Sequence, residues 1–419
     1  MTDKWRMIPF SELYGENSRN GLMRPKRVRG TGYKMINMGE IFAHDRIRNP
    51  PMELVPMNES EKKKYAVKVG DLLFARQSLV AAGAGKCSIV LETPELTTFE
   101  SHLIRVRLDQ SKTDPLFYYY YFSSPVGKGN VQSLVMQVAA AGIRGSELAQ
   151  LPVPHPSLPT QRKIAAILSA YDDLIENNTR RIKILEEMAQ ALYREWFVNF
   201  RFPGHEKVRM VDSELGPKPE GWVAMRLGDV AEEVRRGVNP EEVDPETPYF
   251  GLEHLPRKSI ALSEWGTADQ VNSTKLAFRK GEILFGKIRP YFHKVGVAPV
   301  NGICSSDTIV ISPKKPDYFS IVLCCVSSED FVNHSTQTSQ GTKMPRANWK
   351  VLVNYPVMLP PDPLKSNFDN LVRDVVSQIQ NMIHRNRNLR RTRDYLLPKL
   401  ISGEIDVEGL EIKAGELGS

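Results

Sequence analysis

The stretch TQRKIAAILSAYDDLIENNTRRIKILEEMAQALYREW, Thr160 to Trp196, decides the fold. Within it Ile164, Leu168, Tyr171, Ile175, Asn178, Ile182, Leu185, Ala189, Leu192 and Trp196 follow one another at alternating steps of four and three. That spacing draws an apolar seam down one side of a long helix, a seam that a facing helix must cover. The facing helix is in the same chain. SNFDNLVRDVVSQIQNMIHRNRNLRRTRDYLLPKL, Ser366 to Leu400, repeats the seam 204 residues later as Phe368, Val372, Val375, Ile379, Met382, Asn386, Leu389, Arg393, Leu396 and Leu400. The spacing predicts helices over roughly Thr160–Val198 and Ser366–Leu397.

The repeat extends outward from the helices. WRMIPFSEL from Trp5 resembles WVAMRLGDV from Trp222, and GDLLFARQ from Gly70 resembles GEILFGKI from Gly281. SHLIRVRL from Ser101 lies opposite SDTIVIS from Ser306, and LPVPHP ending at Pro156 lies opposite YPVMLP ending at Pro360. The offset drifts from 217 to 204, as loop insertions and deletions would make it while strands stay fixed. Each match is weak alone, but all share one order. Two copies make a duplication, not a solenoid.

Antiparallel pairing, centred on the repeat, sets Ile164 against Leu400, Asn178 against Asn386 and Tyr171 against Arg393. An Asn layer satisfies both amides and fixes register. A parallel pair would instead oppose Asn178 to Met382, leaving a buried amide unsatisfied at about 1–3 kcal/mol. Tyr171 over Arg393 is the expected answer to the charge in the seam. Pro398, where the first copy has Arg194, should end or kink the second helix early.

The fold class that follows is α+β, with two similar domains, two long antiparallel helices forming an intramolecular coiled coil, and pseudo-two-fold internal duplication. The expected division is 1–156 for the first domain, 157–202 for the first helix and 203–221 for a linker. The second domain then covers 222–362, the second helix 363–402 and the tail 403–419. Pro152, Pro154, Pro156 and Pro159 form an extended lead-in to the first helix, with Thr160 as its N-cap. Pro360, Pro361 and Pro363 repeat that lead-in, and Ser366 with Asp369 resembles a capping box.

The length of 419 residues suits two or three domains, and 41% hydrophobic with 25% charged residues is ordinary for a globular chain. No apolar run reaches the ~18 residues of a membrane span, and no secretory signal opens the chain. Cys87, Cys304, Cys324 and Cys325 form no CxxC pattern, so reduced thiols in the cytoplasm are the expectation. A net charge of +7 is compatible with a polyanion partner.

Signs of catalysis fall away on inspection. Asn49-Pro50-Pro51-Met52 lacks the aromatic of an adenine-methyltransferase element, and no glycine-rich nucleoside turn precedes it. Gly83-Ala84-Gly85-Lys86-Cys87 resembles the tail of a phosphate loop, but its first glycine would fall at Val80 and Cys87 replaces the Ser/Thr. The eight His show no metal-ligand spacing, and no nucleophile elbow is present. The chain is therefore expected to have no catalytic residues, no metal and no cofactor of its own.

What recurs is polar, basic and placed on turns. Arg76, Gln77 and Ser78 follow LLFA in one copy, with Lys86 shortly after; Lys287, Arg289 and Tyr291 follow ILFG in the other. Just before each proline lead-in stand Gln137, Gly142 and Arg144, and then Thr338, Gln340, Lys343 and Arg346. Such side chains read base edges and grip phosphates. Any one of them alone reads as solvated loop, but their recurrence at matched points makes the set a candidate DNA-binding surface.

PSLPTQRKIAAILSAYDDLIENN from Pro156, LEEMAQALYREWF from Leu185 and LRRTRDYLLPKLISGEI from Leu389 resemble the specificity subunits of type I restriction–modification systems. The resemblance covers nearly the whole chain. It implies two target-recognition domains, each reading half of an asymmetric, interrupted site in double-stranded DNA. It also implies docking of two modification subunits, which bind S-adenosylmethionine and methylate adenine, and of a translocating restriction subunit. A helix of about 32–39 residues is roughly 48–58 Å long, against about 34–36 Å for a duplex turn. Such an arm could act as a ruler for the spacer. Two alternatives remain at this point. The chain is the recognition part of a one-chain restriction–methylation enzyme, for which 419 residues leave little room, or a non-DNA helical interaction scaffold.

Overall fold

The computed structural model describes residues 5–78, 83–135, 141–213 and 216–412. Val80 and Gln137 lie outside the described residues. The chain divides into two compact units, 1–173 with 389–419, and 174–388, so that each long helix contributes to both.

In the first unit the run Leu72–Ala75 becomes the middle strand of a five-stranded sheet. The order is Tyr14–Asn20, Leu103–Leu108, Leu72–Ala75, Cys87–Glu92 and Arg46–Arg48. The first four strands run antiparallel, with Phe74 opposite Ile104 and Leu72 opposite Ile89; the last pair is parallel. Leu72 and Phe74 enter one core, and Leu73 and Ala75 enter another. Burial on both faces is why this strand is a continuous apolar run instead of an alternating one. A second sheet joins Tyr33–Ile36 to Glu53–Val55 and Thr97–Phe99.

The helix Pro115–Ser123 starts where the Asp114 carboxylate accepts the amides of Leu116 and Phe117. Its six consecutive aromatics, Phe117 to Phe122, are all buried. A helix apolar all round must be enclosed. Three phenol groups find acceptors: Tyr118 on the Pro154 carbonyl, Tyr121 on the Pro152 carbonyl and Tyr120 on Asp172.

The second unit has the same plan. Ala231–Val234, Thr308–Pro313, Ile283–Gly286 and Val295–Val297 form one sheet in the matching order. Arg236–Val238, Lys275–Phe278, Gly302–Cys304, Pro248–Phe250 and Gly266–Thr267 form the other. The buried helix Phe319–Val326 follows the strand Thr308–Pro313 in the chain, as the aromatic helix follows Leu103–Leu108. Individual hydrogen bonds repeat as well. Gly70 and Gly281 both have left-handed φ, +87° and +88°, and donate to the Val90 and Ala298 carbonyls. The buried Asp71 and Glu282 accept the amides of Lys68 and Arg279 at 2.7 Å. Each then forms an ion pair, Asp71 with Arg107 and Glu282 with Arg236.

The long helices run Leu158–Tyr193, extended by a π-turn over Arg194–Val198, and Asp362–Ile401. Both begin before Thr160 and Ser366, the starts predicted from the seam spacing. Ser157, not Thr160, caps the first, its hydroxyl accepting the Thr160 amide at 3.3 Å. Ser366 lies inside the second helix, and Asp369 binds Ser320 and Arg373 instead of closing a capping box. Pro159 and Pro363 sit in first turns, where the missing N–H has no helical acceptor to lose. Pro398 does not end the second helix, which continues to Ile401. So near the C-terminus it removes one bond, and its own carbonyl still accepts the Ser402 amide.

Within each unit the helices pair antiparallel. In the first, Ile164 and Leu168 share a core with Leu397, Leu400 and Ile401. In the second, Ile182 packs with Ile379, Met382 and Ile383, and Trp196 lies 5.7 Å from Phe368 ring to ring. Asn178 donates to Asn386 at 2.8 Å, in the register that an antiparallel seam requires. The cation–π contact expected between Tyr171 and Arg393 is replaced by an ion pair. Arg393 donates to Asp172, which is 5% exposed and also accepts the Tyr120 hydroxyl at 2.7 Å. A charge-assisted bond to a carboxylate outweighs a ring face.

Candidate nucleic-acid interface

The polar turns sit where each central strand leaves its sheet. In the first unit the Arg76 amide donates to the His102 carbonyl at 2.7 Å, and its guanidinium reaches the Ser101 carbonyl at 3.4 Å. Gln77–Ser78 then pairs antiparallel with Ala141–Gly142, and the Ile143 amide returns to the Arg76 carbonyl at 2.9 Å. A Cβ on Gly142 would lie 2.9 Å from that carbonyl, so the two backbones approach closely because position 142 is glycine. This pairing brings Arg76, Gln77 and Ser78 beside Arg144, which is exposed at the start of the helix Gly145–Gln150.

The second unit repeats these contacts. The Lys287 amide donates to the Asp307 carbonyl at 3.0 Å, Ile288 pairs with Arg346, and the Ala347 amide returns to the Lys287 carbonyl at 2.8 Å. Arg76 and Lys287 therefore occupy one structural position, each with two equivalent backbone bonds and a following residue paired to the returning segment. The loop Gln340–Arg346 is closed by reciprocal amide–carbonyl bonds at 3.1 and 2.8 Å, and it exposes Gln340 and Lys343. Asp307 stands between Lys287 and Arg346, at 3.9 and 3.7 Å. Arg289 holds a left-handed φ of +50° while its amide donates to the Pro345 carbonyl at 2.7 Å. Tyr291 is half exposed, with its ring 4.9 Å from Phe292.

Lys86 and Thr338 stand apart in character. The Lys86 ammonium is held by Asp45 at 2.9 Å and the Phe42 carbonyl at 3.2 Å, at the wall of a cavity of about 750 Å³. Thr338 ends the helix Glu329–Gln337, and its hydroxyl is turned back onto the His334 carbonyl. Sequence reasoning passes over Asp307, which orders two of the cations. It also passes over Arg257, whose guanidinium lies 4.0 Å from the Phe292 ring centre. Neither carries a spacing signal.

The chemistry elsewhere is that of packing. All four cysteines are free and buried, and burial pushes the Cys304 and Cys325 thiols up to about 12. Burial also lowers His155 and His293. Among the described residues no group of three His, Cys, Asp or Glu is placed to hold a metal, and no helix is long and apolar enough to cross a membrane.

Two folded copies with matching polar turns, tied to one pair of helices, define a duplicated recognition protein, and comparison with known proteins agrees. The type I restriction modification DNA specificity domain matches twice, over residues 21–187 and 219–383. The type I restriction enzyme MjaIX specificity subunit of Methanocaldococcus jannaschii is 28% identical over 309 residues, 70% of each chain. The EcoDI specificity subunit of Escherichia coli is 24% identical over 372 residues, 81% of each chain. The crystal structure of a type I restriction–modification S subunit from M. genitalium shares the fold, with a TM-score of 0.60, 15% identity and coverage of 95% of this chain and 96% of that one. The chain belongs to the type I restriction–modification DNA specificity family.

Proposed function

We propose that this chain is the subunit that reads a bipartite, asymmetric site in double-stranded DNA and directs methyltransferase and restriction subunits to it. The observation that carries the reading is the structural equivalence of Arg76 and Lys287. The backbone bonds are the same, but one turn continues Gln77-Ser78 and the other Ile288-Arg289. One scaffold presenting two chemistries suits two unlike half-sites. The recognition domains are 1–156 and 222–362, the helices 157–202 and 363–402, with 203–221 as linker and 403–419 as tail.

The chain is non-catalytic in this reading. Two modification subunits dock on the helices and supply S-adenosylmethionine binding and adenine methylation, a restriction subunit joins them, and the complex works in the cytoplasm. The test is to co-express the chain with its neighbouring modification subunit and map methylated adenines across the genome. Two different half-sites separated by a fixed gap are expected. A palindrome, or no modification by a complex shown to be stable, would overturn the proposal.

A further inference from the structure

The two units differ sharply in one loop. In the first unit the loop from Tyr14–Asn20 to Tyr33–Ile36 contains MRPKRVR, Met23 to Arg29, with four cations. Its counterpart in the second unit, from Arg236–Val238 to Pro248–Phe250, reads NPEEVDPET, Asn239 to Thr247, with four carboxylates and no cation. The strands that follow the two loops pair alike, Tyr33–Ile36 running parallel to Thr97–Phe99 and Pro248–Phe250 parallel to Gly302–Cys304. The strands before them pair differently, Tyr14–Asn20 with Leu103–Leu108 and Arg236–Val238 with Lys275–Phe278.

The basic loop is braced from within. Arg24 binds Glu61 at 2.6 Å and the Pro56 carbonyl at 3.1 Å. Arg29 binds Glu53, the Asn37 side chain at 3.0 Å and the Arg24 carbonyl at 2.9 Å. At the loop's end Gly32 has φ +104°, and a Cβ there would lie 2.4 Å from the Val55 carbonyl oxygen. Two arginines thus hold the loop in shape. Lys26 and Arg27 are exposed, and their side chains have no ion pair or hydrogen bond among the described residues. Beside them Met23 is 76% and Val28 39% exposed, over an open hollow shared with Pro56 and Met57.

The loop adjoins the candidate reading turn. The Leu22 carbonyl accepts the Ser101 amide at 3.0 Å, and the Ser101 carbonyl accepts the Arg76 guanidinium at 3.4 Å. Met23 therefore begins one residue from the segment that anchors Arg76. We propose that Met23–Arg29 is a grip on the DNA backbone possessed by the first recognition domain alone. Lys26 and Arg27 neutralise phosphates beside the bases read near Arg76, and Met23 and Val28 rest against the sugars. The acidic counterpart, Glu241 to Glu246, repels phosphate, so the two half-sites are held unequally. The inference rests on the DNA-reading function proposed above.

The test uses the full chain assembled with its modification subunit, on a duplex spanning the methylated sequence. Lys26→Ala with Arg27→Ala removes two exposed charges and should leave the melting temperature unchanged. The slope of log affinity against log salt should become shallower by about 1.8, so that raising salt from ~50 to ~200 mM weakens the parent about twelvefold more than the variant. Hydroxyl-radical protection should fade beside one half-site only, with base preferences intact. An unchanged slope and footprint would overturn the proposal. So would an unchanged slope with loss of the modification subunit on sedimentation, which would make the loop a protein-docking surface. No DNA affinity in the unsubstituted complex would overturn the reading of the whole chain, and the loop with it.

Discussion

Asn178 donates to the side-chain oxygen of Asn386 at 2.8 Å, in a seam whose neighbouring layers are apolar. Asn386 is 2% exposed, and the Ile175 carbonyl and Thr179 hydroxyl lie near its amide at 3.5 and 3.4 Å. Asn178→Leu should therefore leave Asn386 short of a partner and cost about 1–3 kcal/mol. Replacing both residues with Leu should recover most of that loss, because no orphaned amide remains, while register becomes less specific. A double-mutant cycle by urea denaturation measures this. Additive losses would show that the two amides act independently.

Glu186 supplies the pH dependence. One carboxylate oxygen accepts from the Ser259 hydroxyl at 2.6 Å and from the Ile260 and Ala261 amides at 2.8 and 3.1 Å. Burial is the largest influence and raises its pKa above the ordinary 4.5 in spite of those donors. A carboxyl group with a raised folded-state pKa favours the fold when protonated. That contribution is full below 4.5 and is lost as pH climbs through the raised value. Glu186→Gln should thus gain on the parent as pH rises through this window, read as the difference in melting temperature from pH ~4 to ~7. A parent advantage that grows with pH would show the three donors outweighing burial.

The duplication and the paired helices are legible in the sequence because seam periodicity and apolar strand cores are set by residues close along the chain. LLFA and ILFG carry their burial on both faces in their composition. The helix starts are not, because proline reads as a breaker unless its place in the first turn is known. Periodicity gives Arg393 a partner at its own seam level, but the carboxylate that binds it belongs to the next residue along, Asp172. The matched polar turns are legible as composition. Their closure by Gly142 and Arg346 is not, because those bonds join segments far apart in the chain. The run RPKRVR, Arg24 to Arg29, is in plain view, but only the structure separates its bracing arginines from the two cations it presents.

Arg76 and Lys287 should govern different halves of the target. Arg76→Ala should relax base preference in one half-site only, and Lys287→Ala in the other, each by about 1–3 kcal/mol for every bidentate bond to a base edge that the substitution removes. Methylation of duplexes with single-base changes in either half measures the effect. If one substitution instead weakens both half-sites evenly and flattens the salt dependence, that residue grips phosphate and does not read bases.

Asp172 ties three elements of the first unit together. It accepts from Arg393 of the second helix and from the Tyr120 hydroxyl of the aromatic helix, and Arg46 lies 3.9 Å away. Removing the carboxylate takes away one of the two acids that bind the partly buried Arg393 guanidinium, which keeps the more exposed Asp394 at 2.8 Å. Asp172→Ala should cost about 1–3 kcal/mol. Arg393→Met alone should also destabilise, since Asp172, at 5% exposure, then loses its strongest partner. Asp172→Leu combined with Arg393→Met removes both charges and should recover much of the loss, leaving the Tyr120 hydroxyl as the unsatisfied group. Urea midpoints for the parent and three variants decide it. A double variant no better than Asp172→Ala would mean that the tyrosine bond, not the ion pair, secures the second helix against the first domain.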